Sequence, residues 1–428
     1  MNRDRAPEPE VTLDLDVTGI AHGGVGVARD DDGRVVFVAD AIPGERVRAL
    51  VTEAKKSFAR AVALDVLEPS PDRVDHVWAE AALERDPGDR VGGAEFGHIA
   101  LARQRALKAE VLLDALRRFG GIDVDARFPD LDPTTLVEPA PGDDAANGLG
   151  WRTRVRLSIG PDGRPGQFAA RSHRVVPVAS LPLALPEIAA VLAQEFAPGD
   201  TVTAVVPAGG ELRLVIAADA TQRAQRPSTI EERVGDRTFR VDDTGFWQVH
   251  RAAPQILVDA VRDAVDPARF DPSAANLDLY GGVGLLAAAL GDLGGPATRI
   301  ETVESDARAS AYAAENLGDL QHALATVGRV DRVLREWHTS TRPAVSPGER
   351  AGATIVLDPP RSGAGIEVVR GIAELGAAQL VYVACDPVAL ARDTKTLEAS
   401  GYRLTRISAH DLFPHTHHLE SIATFVRD

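Results

Sequence analysis

The sequence predicts an α/β protein: a doubly wound, mostly parallel C-terminal sheet, preceded by a small N-terminal β-barrel and a central, mostly β region. Residues from about 9 to 67 form short, partly alternating runs broken by Gly, Pro and Asp, as small β elements do. After Gly245, apolar strands alternate with helical patterns, which is the rhythm of βαβ units. A chain of 428 residues also exceeds what a single hydrophobic core usually organises, so two or three domains are expected.

The elements follow in order. "VTLDLDVTG", "GVGVARD", "RVVFVADAIPGERVRALVTEAKK" and "FARAVALDVLEP" suggest a five-stranded barrel over 9–68, a class that often binds oligonucleotides. "EPSPDR" reads as a linker. Residues 99–119 have helical periodicity, stopped by Gly120 and Gly121. From about 150 to 243 come the strands "RVRLSIG", "TVTAVVP", "LRLVIAA" and "RTFRVDD", interrupted by a helix, "PEIAAVLAQEF". These make a second unit over 69–243. The third, 244–428, opens with the helix "APQILVDAVRDAV" and alternates through the strands "ANLDLY", "RIETVES", "GATIVLDPP" and "QLVYVAC". It closes with "RLTRISAH" and "ESIATFVRD".

Composition excludes several classes. The single cysteine, Cys385, rules out an intramolecular disulfide and any zinc or iron–sulfur site built from cysteines. No apolar run approaches the roughly 20 residues needed to cross a bilayer. The N-terminus lacks the apolar core of a signal peptide, so a cytoplasmic location is expected. A net charge of −16 argues mildly against a polyanionic partner, but only the facing surface need be positive. Trp151 to Val175 carries six arginines against one acid, and residues 99–119 carry five basic residues against two acids. Together they suggest a phosphate-facing surface.

Ligands of parallel sheets sit at the carboxyl ends of the strands. "LDLYGGVG" is a strand followed by a glycine turn, where Gly282 and Gly284 let the backbone approach a ligand. That turn suits dinucleotide, nucleoside or methionine-nucleoside cofactors. Leu285, Ala287 and Ala288 break the full G-x-G-x-x-G/A spacing, which favours S-adenosylmethionine over a dinucleotide. Glu304 ends the next strand, where an acid accepts hydrogen bonds from ribose hydroxyls. "IVLDPPRSG" places Asp358 at another strand exit, with Arg361 and Gly363 facing the same crevice. Cys385 occupies the equivalent exit one strand on, before a capping Asp386 and Pro387. A helix N-terminus favours thiolate there, and Asp386 opposes it.

In combination these stretches resemble the S-adenosylmethionine-dependent RNA uracil-5-methyltransferases that carry an N-terminal TRAM barrel. "FWQVH" resembles the family's Phe-x-Gln segment, "DLYGGVG" its cofactor turn, and "LDPPRSG" its acid-Pro-Pro-Arg-x-Gly motif. "ACDPVALARD" resembles the nucleophile segment and "FPHTHHLES" the segment of the catalytic glutamate. The resemblance implies a TRAM (OB-like) barrel at 9–68, a central RNA-binding α+β domain at 69–243 and a Rossmann-like methyltransferase domain at 244–428. It implies that Gln248, Tyr280, Glu304 and Asp358 contact the cofactor, that Cys385 is the nucleophile and that Glu420 is the base.

Several positions depart from the family pattern. Many members hold an iron–sulfur cluster on four cysteines, but Val91, Ala94 and Leu181 stand at three of those places, so no cluster and no metal are expected. Gly281 replaces a cysteine of the cofactor turn, His250 stands where Asn is common, and Arg329 falls where an acid is frequent. The expected product is 5-methyluridine in RNA, ribosomal in preference to transfer RNA, made by a monomer without membrane contact. A transfer-RNA enzyme and a non-catalytic RNA-binding or ribosome-assembly protein are the alternatives. Methylation of another base or of DNA ranks last, because the thiol precedes Asp-Pro.

Overall fold

The computed structural model describes residues 11–170, 172–218, 227–338 and 347–427. Six strands form the N-terminal sheet: β1 (Thr12–Asp16), β2 (Gly19–Ala21), β3 (Val25–Arg29), β4 (Val35–Ala39), β5 (Arg46–Ala54) and β6 (Phe58–Glu68). Their order is β1-β5-β6-β4-β3-β2, one strand more than the sequence suggested. The addition is β2, whose three residues "GIA" are too short to show alternation. Leu15, Val36, Val38, Val47, Ala59 and Ala61 point inward and give the sheet its own core.

Helix α1 (Leu101–Ala115) continues through a π-helical turn and stops at Gly121, whose φ of 69° is the left-handed conformation a glycine adopts without strain. A short α2 (Val124–Arg127) and β7 (Val137–Pro139) follow. The central sheet contains β8 (Arg154–Ile159), β9 (Pro165–Phe168), β10 (Val175–Pro177), β11 (Thr201–Val205) and β12 (Arg213–Ala217), ordered β10-β9-β8-β11-β12. "PEIAAVLAQEF" forms a 3-10 stretch, Pro186–Ala193, rather than an α-helix. A hairpin of β13 (Thr229–Val234) and β14 (Arg237–Asp242) completes this region.

The C-terminal part runs α3 (Ala253–Ala264), β15 (Asn276–Leu279), α4 (Leu285–Gly294), β16 (Arg299–Glu304), α5 (Ala307–Asn316), β17 (His322–Val327) and α6 (Val330–His338). It continues with α7 (Pro347–Ala351), β18 (Thr354–Leu357), α8 (Ile366–Leu375), β19 (Gln379–Ala384), α9 (Pro387–Ala399), β20 (Tyr402–Asp411) and β21 (Glu420–Arg427). The sheet order is β17-β16-β15-β18-β19-β21-β20-β7. Strands β15 to β19 are mutually parallel, and β21 inserts antiparallel between β19 and β20. Strand β7 joins the far edge beside β20, and α1 packs on α9, so residues 101–139 lie against this sheet.

Alternate residues of the central strands serve opposite layers, as a doubly wound sheet requires. Leu357, Leu380 and Tyr382 join the core under α1, α8 and α9, while Val356, Val381 and Val383 join the core under α3 and α4. Each fully buried side chain of this size contributes about 1.5–3 kcal/mol. Among the described residues, no helix is long and apolar enough to cross a membrane.

Candidate active site

The sheet's pairing brings the strand-end groups together. Leu279 pairs with Val303 on one side and with Leu357 on the other, so Tyr280, Glu304 and Asp358 each stand one residue past this aligned row, Glu304 as the last residue of β16. Cys385 follows Ala384, the last residue of β19, and Ala384 pairs with Ser421. Because β21 is antiparallel, its first residue, Glu420, therefore arrives beside Cys385 at the carboxyl edge of the parallel strands. Directly opposed residues on neighbouring strands have Cβ atoms about 5 Å apart. Cys385 and Glu420, 35 positions apart in sequence, become neighbours through this one strand reversal.

The glycine turn after β15 is held from beneath and from the side. Asp278 is buried in β15, and its carboxylate accepts from the Ala287 N–H (3.1 Å) in the first turn of α4 and from Thr302 Oγ1 (3.3 Å). It does the capping that Gly284, at the N-cap of α4, cannot. Glu304 accepts from the Gly282 N–H at 3.1 Å, which fixes it to the turn. Tyr280 and Gly282 both adopt positive φ, and a Cβ at Gly282 would meet only open space. Gln248 lies outside this row, half-buried on the segment between β14 and α3.

The site crowds several buried acidic groups together. Burial pushes Asp278 up to about 7, and burial together with the charge of Asp278 does the same to Asp358. Asp278 Oδ1 has no hydrogen-bond partner among the described residues. Glu420 is also buried, and burial plus the Asp358 charge holds it well above the usual carboxylate range. Burial pushes the Cys385 thiol up to about 12, assisted by the charges of Glu420, Asp358 and Asp386, while Arg361 works the other way. A cationic sulfonium cofactor suits such a site: it lowers the cost of crowding these acids.

Cys385 is half-buried and opens into a cleft of about 600 Å³. Lys108 and Val111 of α1, Arg361, His417 and His418 form part of its wall, and His22 and Gly24 of the barrel form another part. His22 Nε2 lies 3.2 Å from Asp386 Oδ2. Burial pulls Asp386 upward, but His22 and the Ala389 N–H outweigh it and leave the carboxyl below its ordinary value. Arg361 donates to His418 Nε2 at 3.2 Å. Its loop is anchored by Asp393 of α9, which accepts from Tyr382 Oη (2.7 Å) and the Ala364 N–H (2.8 Å). Sequence reasoning missed Asp278, Asp393 and His22. Acids inside an apolar strand and on the inner face of a helix were the available signal for the first two.

Residues 11–64 match the TRAM domain, and residues 274–427 match the family described as tRNA (Uracil-5-)-methyltransferase. An uncharacterized RNA methyltransferase of Streptomyces avermitilis is 35% identical, covering 96% of this chain and 97% of its own. The 23S rRNA (uracil(1939)-C(5))-methyltransferase RlmD of Methylococcus capsulatus is 30% identical, covering 99% of both. The chain belongs to the S-adenosylmethionine-dependent RNA uracil-5-methyltransferase family. The crystal structure of Pyrococcus abyssi tRNA (uracil-54, C5)-methyltransferase, in complex with S-adenosyl-L-homocysteine, shares the fold. Its TM-score is 0.67 at 21% identity, covering 97% of this chain and 100% of that one.

Set against the methyltransferase pattern, the departures have local explanations. Val91, Ala94 and Leu181 are all buried in one apolar cluster with Trp78 and Trp151, so hydrocarbon fills the place of a four-thiolate site. A Cβ at Gly281 would run into Thr302 Oγ1 and the Asp278 carboxylate, which leaves no room for a cysteine there. His250 is buried and bonded to Asp143 at 3.0 Å, a structural tie. Arg329 is exposed and pairs with Asp331 at 3.0 Å.

The two basic stretches are less available than their composition suggested. All five basic side chains of residues 99–119 pair with acids: Arg103 with Glu110, Arg105 with Asp144, Lys108 with Asp411, Arg117 with Asp125 and Arg118 with Asp114. Arg154 is buried against Glu232, and Arg174 is bound to Asp89. Arg171 lies outside the described residues.

Proposed function

We propose that this protein methylates carbon 5 of a uridine in large-subunit ribosomal RNA through a transient bond from Cys385 Sγ to carbon 6. The observation that carries the proposal is that Cys385 and Glu420 flank the paired residues Ala384 and Ser421, with Cys385 on the wall of a cleft. Carbon 5 of uracil is a poor nucleophile. Thiolate addition at carbon 6 turns the ring into an enolate whose carbon 5 is electron-rich. S-adenosylmethionine, when bound, supplies an electrophilic methyl group. Glu420 then takes the proton from carbon 5, and the electron pair left behind re-forms the double bond as the C6–S bond breaks. Burial and the Asp358 charge favour the protonated form of Glu420 in the free protein, so its role as base requires the carboxylate, which a bound sulfonium would favour. Arg361 offsets the negative charge that develops beside the thiolate.

Glu304, Gly282, Gly284, Tyr280 and Asp358 would hold the cofactor, with Gln248 closing over it from the β14–α3 segment. The barrel over 9–68 and the unit over 69–243 would bind RNA, leaving chemistry to 244–428. One chain supplies every group named, so a monomer suffices, and such a substrate places the work in the cytoplasm. The ribosomal target is favoured by the full-length likeness to the Methylococcus enzyme. The second reading, transfer RNA, draws on the fold shared with the Pyrococcus protein.

The test is methyl transfer from labelled cofactor to separated ribosomal and transfer RNA, followed by digestion to nucleosides. We expect 5-methyluridine from the large-subunit fraction. No methylated nucleoside from either fraction would overturn the enzyme reading. Cys385→Ala should abolish transfer, and Glu420→Gln should leave a covalent protein–RNA adduct visible as a shifted gel band.

A further inference from the structure

We infer that a second cleft, on the central sheet, holds a nucleotide of the RNA next to the one that is methylated; the inference rests on the RNA-methylating reading above. This cleft has about 600 Å³ of open space, and its walls include Trp78, Gly92, Arg152, Arg156, Gln167 and Leu181. Strand pairing creates it. Strands β8 and β9 pair only at Ser158↔Gly166 and Ile159↔Pro165, so the preceding residues of β8 keep an edge that β9 does not cover. Gly92 and Leu181 fall at the turn and segment where Val91, Ala94 and Leu181 replace expected cysteines.

The lining has the chemistry of a nucleotide site. Arg156 is exposed and Arg152 half-buried, and neither forms a salt bridge among the described residues, although the charge of Glu95 reaches Arg152. Arg152 donates from Nε to Arg154 O at 2.9 Å, and its guanidinium lies over the Trp151 ring at 5.7 Å. Its burial disfavours the charge, and a bound anion would restore it. Trp78 is 5% exposed, and its indole N–H has no acceptor among the described residues. Leu181, Leu183 and Trp78 add an apolar wall. A simple phosphate would leave that wall and the indole unused, and an apolar ligand would leave two guanidinium groups unmatched. A nucleotide uses all three, with its base in the apolar slot and its phosphate on the arginines. Arg152 of this cleft and Arg361 of the Cys385 cleft lie within electrostatic reach of one another. A flipped uridine in one cleft and an unstacked neighbour in the other is a geometry that single-stranded RNA can adopt.

The experiment is photocrosslinking with a short single-stranded RNA of adenosine and 4-thiouridine, mapped by mass spectrometry. We expect adducts both around the Cys385 cleft and on the peptides carrying Trp78 or Leu181–Ala184. Adducts around Cys385 with none in the second cleft overturn the inference but spare the methylation reading. No adduct anywhere, with no methyl transfer, overturns both. Arg156→Ala, on an exposed side chain, should weaken binding of the same RNA about tenfold. It should also flatten the slope of log affinity against log salt by about 0.7, the value for one phosphate contact on a single strand. An unchanged affinity and slope would refute the assignment.

Discussion

At the scale of single residues, the thiol is the least ordinary group. Its high proton affinity in the free protein means that thiolate is scarce at neutral pH. Alkylation of this sole cysteine by iodoacetamide should therefore be slow near pH 7 and rise about tenfold per pH unit. A bound sulfonium should speed it relative to S-adenosylhomocysteine, which is neutral at sulfur. Rates equal with both ligands would remove the electrostatic argument. Asp278 gives a second prediction. An acid whose folded pKa lies above its unfolded value binds more protons when native. Its stabilising contribution is thus present below about pH 4 and is lost as pH rises through about 7. Asp278→Asn, which can still accept from Ala287, should gain on the wild type by up to a few kcal/mol between about pH 5 and pH 8 in thermal unfolding. Cys385, Glu304 and Asp358 were legible in sequence because each follows an apolar strand directly. Asp278 was not, because its function depends on a helix amide nine positions away.

At the scale of elements, the last strand decides the site. Had β21 run parallel to β19, Glu420 would sit at the opposite edge of the sheet. No sequence period reports strand direction, which is why the pairing with Cys385 rested on resemblance until β21 was seen between β19 and β20. Periodicity located α3, α5 and α9 to within a residue or so but passed over β17 and α6. Strand β17 lies at the sheet edge, where no burial enforces an apolar run. The glycine turn invites a direct test. Gly281→Ala forces a contact with Thr302 and Asp278, and overpacking of this kind costs about 1–3 kcal/mol. We expect a lower melting temperature and weaker cofactor binding, and Thr302→Ala in the same chain should recover part of both. Failure of that rescue would separate the loss from the contact.

At the scale of the whole molecule, the barrel is fastened to the rest by buried charge. Arg90 is 3% exposed and donates to Asp40 Oδ2, Ala63 O and Leu83 O, each at 2.8 Å. Arg73 pairs with the buried Glu45 at 2.6 Å. Removing one partner of such a network typically costs about 3–5 kcal/mol. Arg90→Ala should therefore loosen the barrel, seen as earlier proteolytic release of residues before about 70, with methyl transfer falling more than cofactor binding. Five of the barrel's six strands were readable from alternation, whereas its seat on the Cys385 cleft was not, since His22 and Gly24 carry no pattern of their own.

That seat has a consequence for choice of target. Were the barrel to bind the RNA as proposed, its place on the wall around the sulfur would set the span from that contact to the reacting base. A uridine would then be accepted only where the bend of its strand covers that span, a selection by RNA shape ahead of any reading of the base.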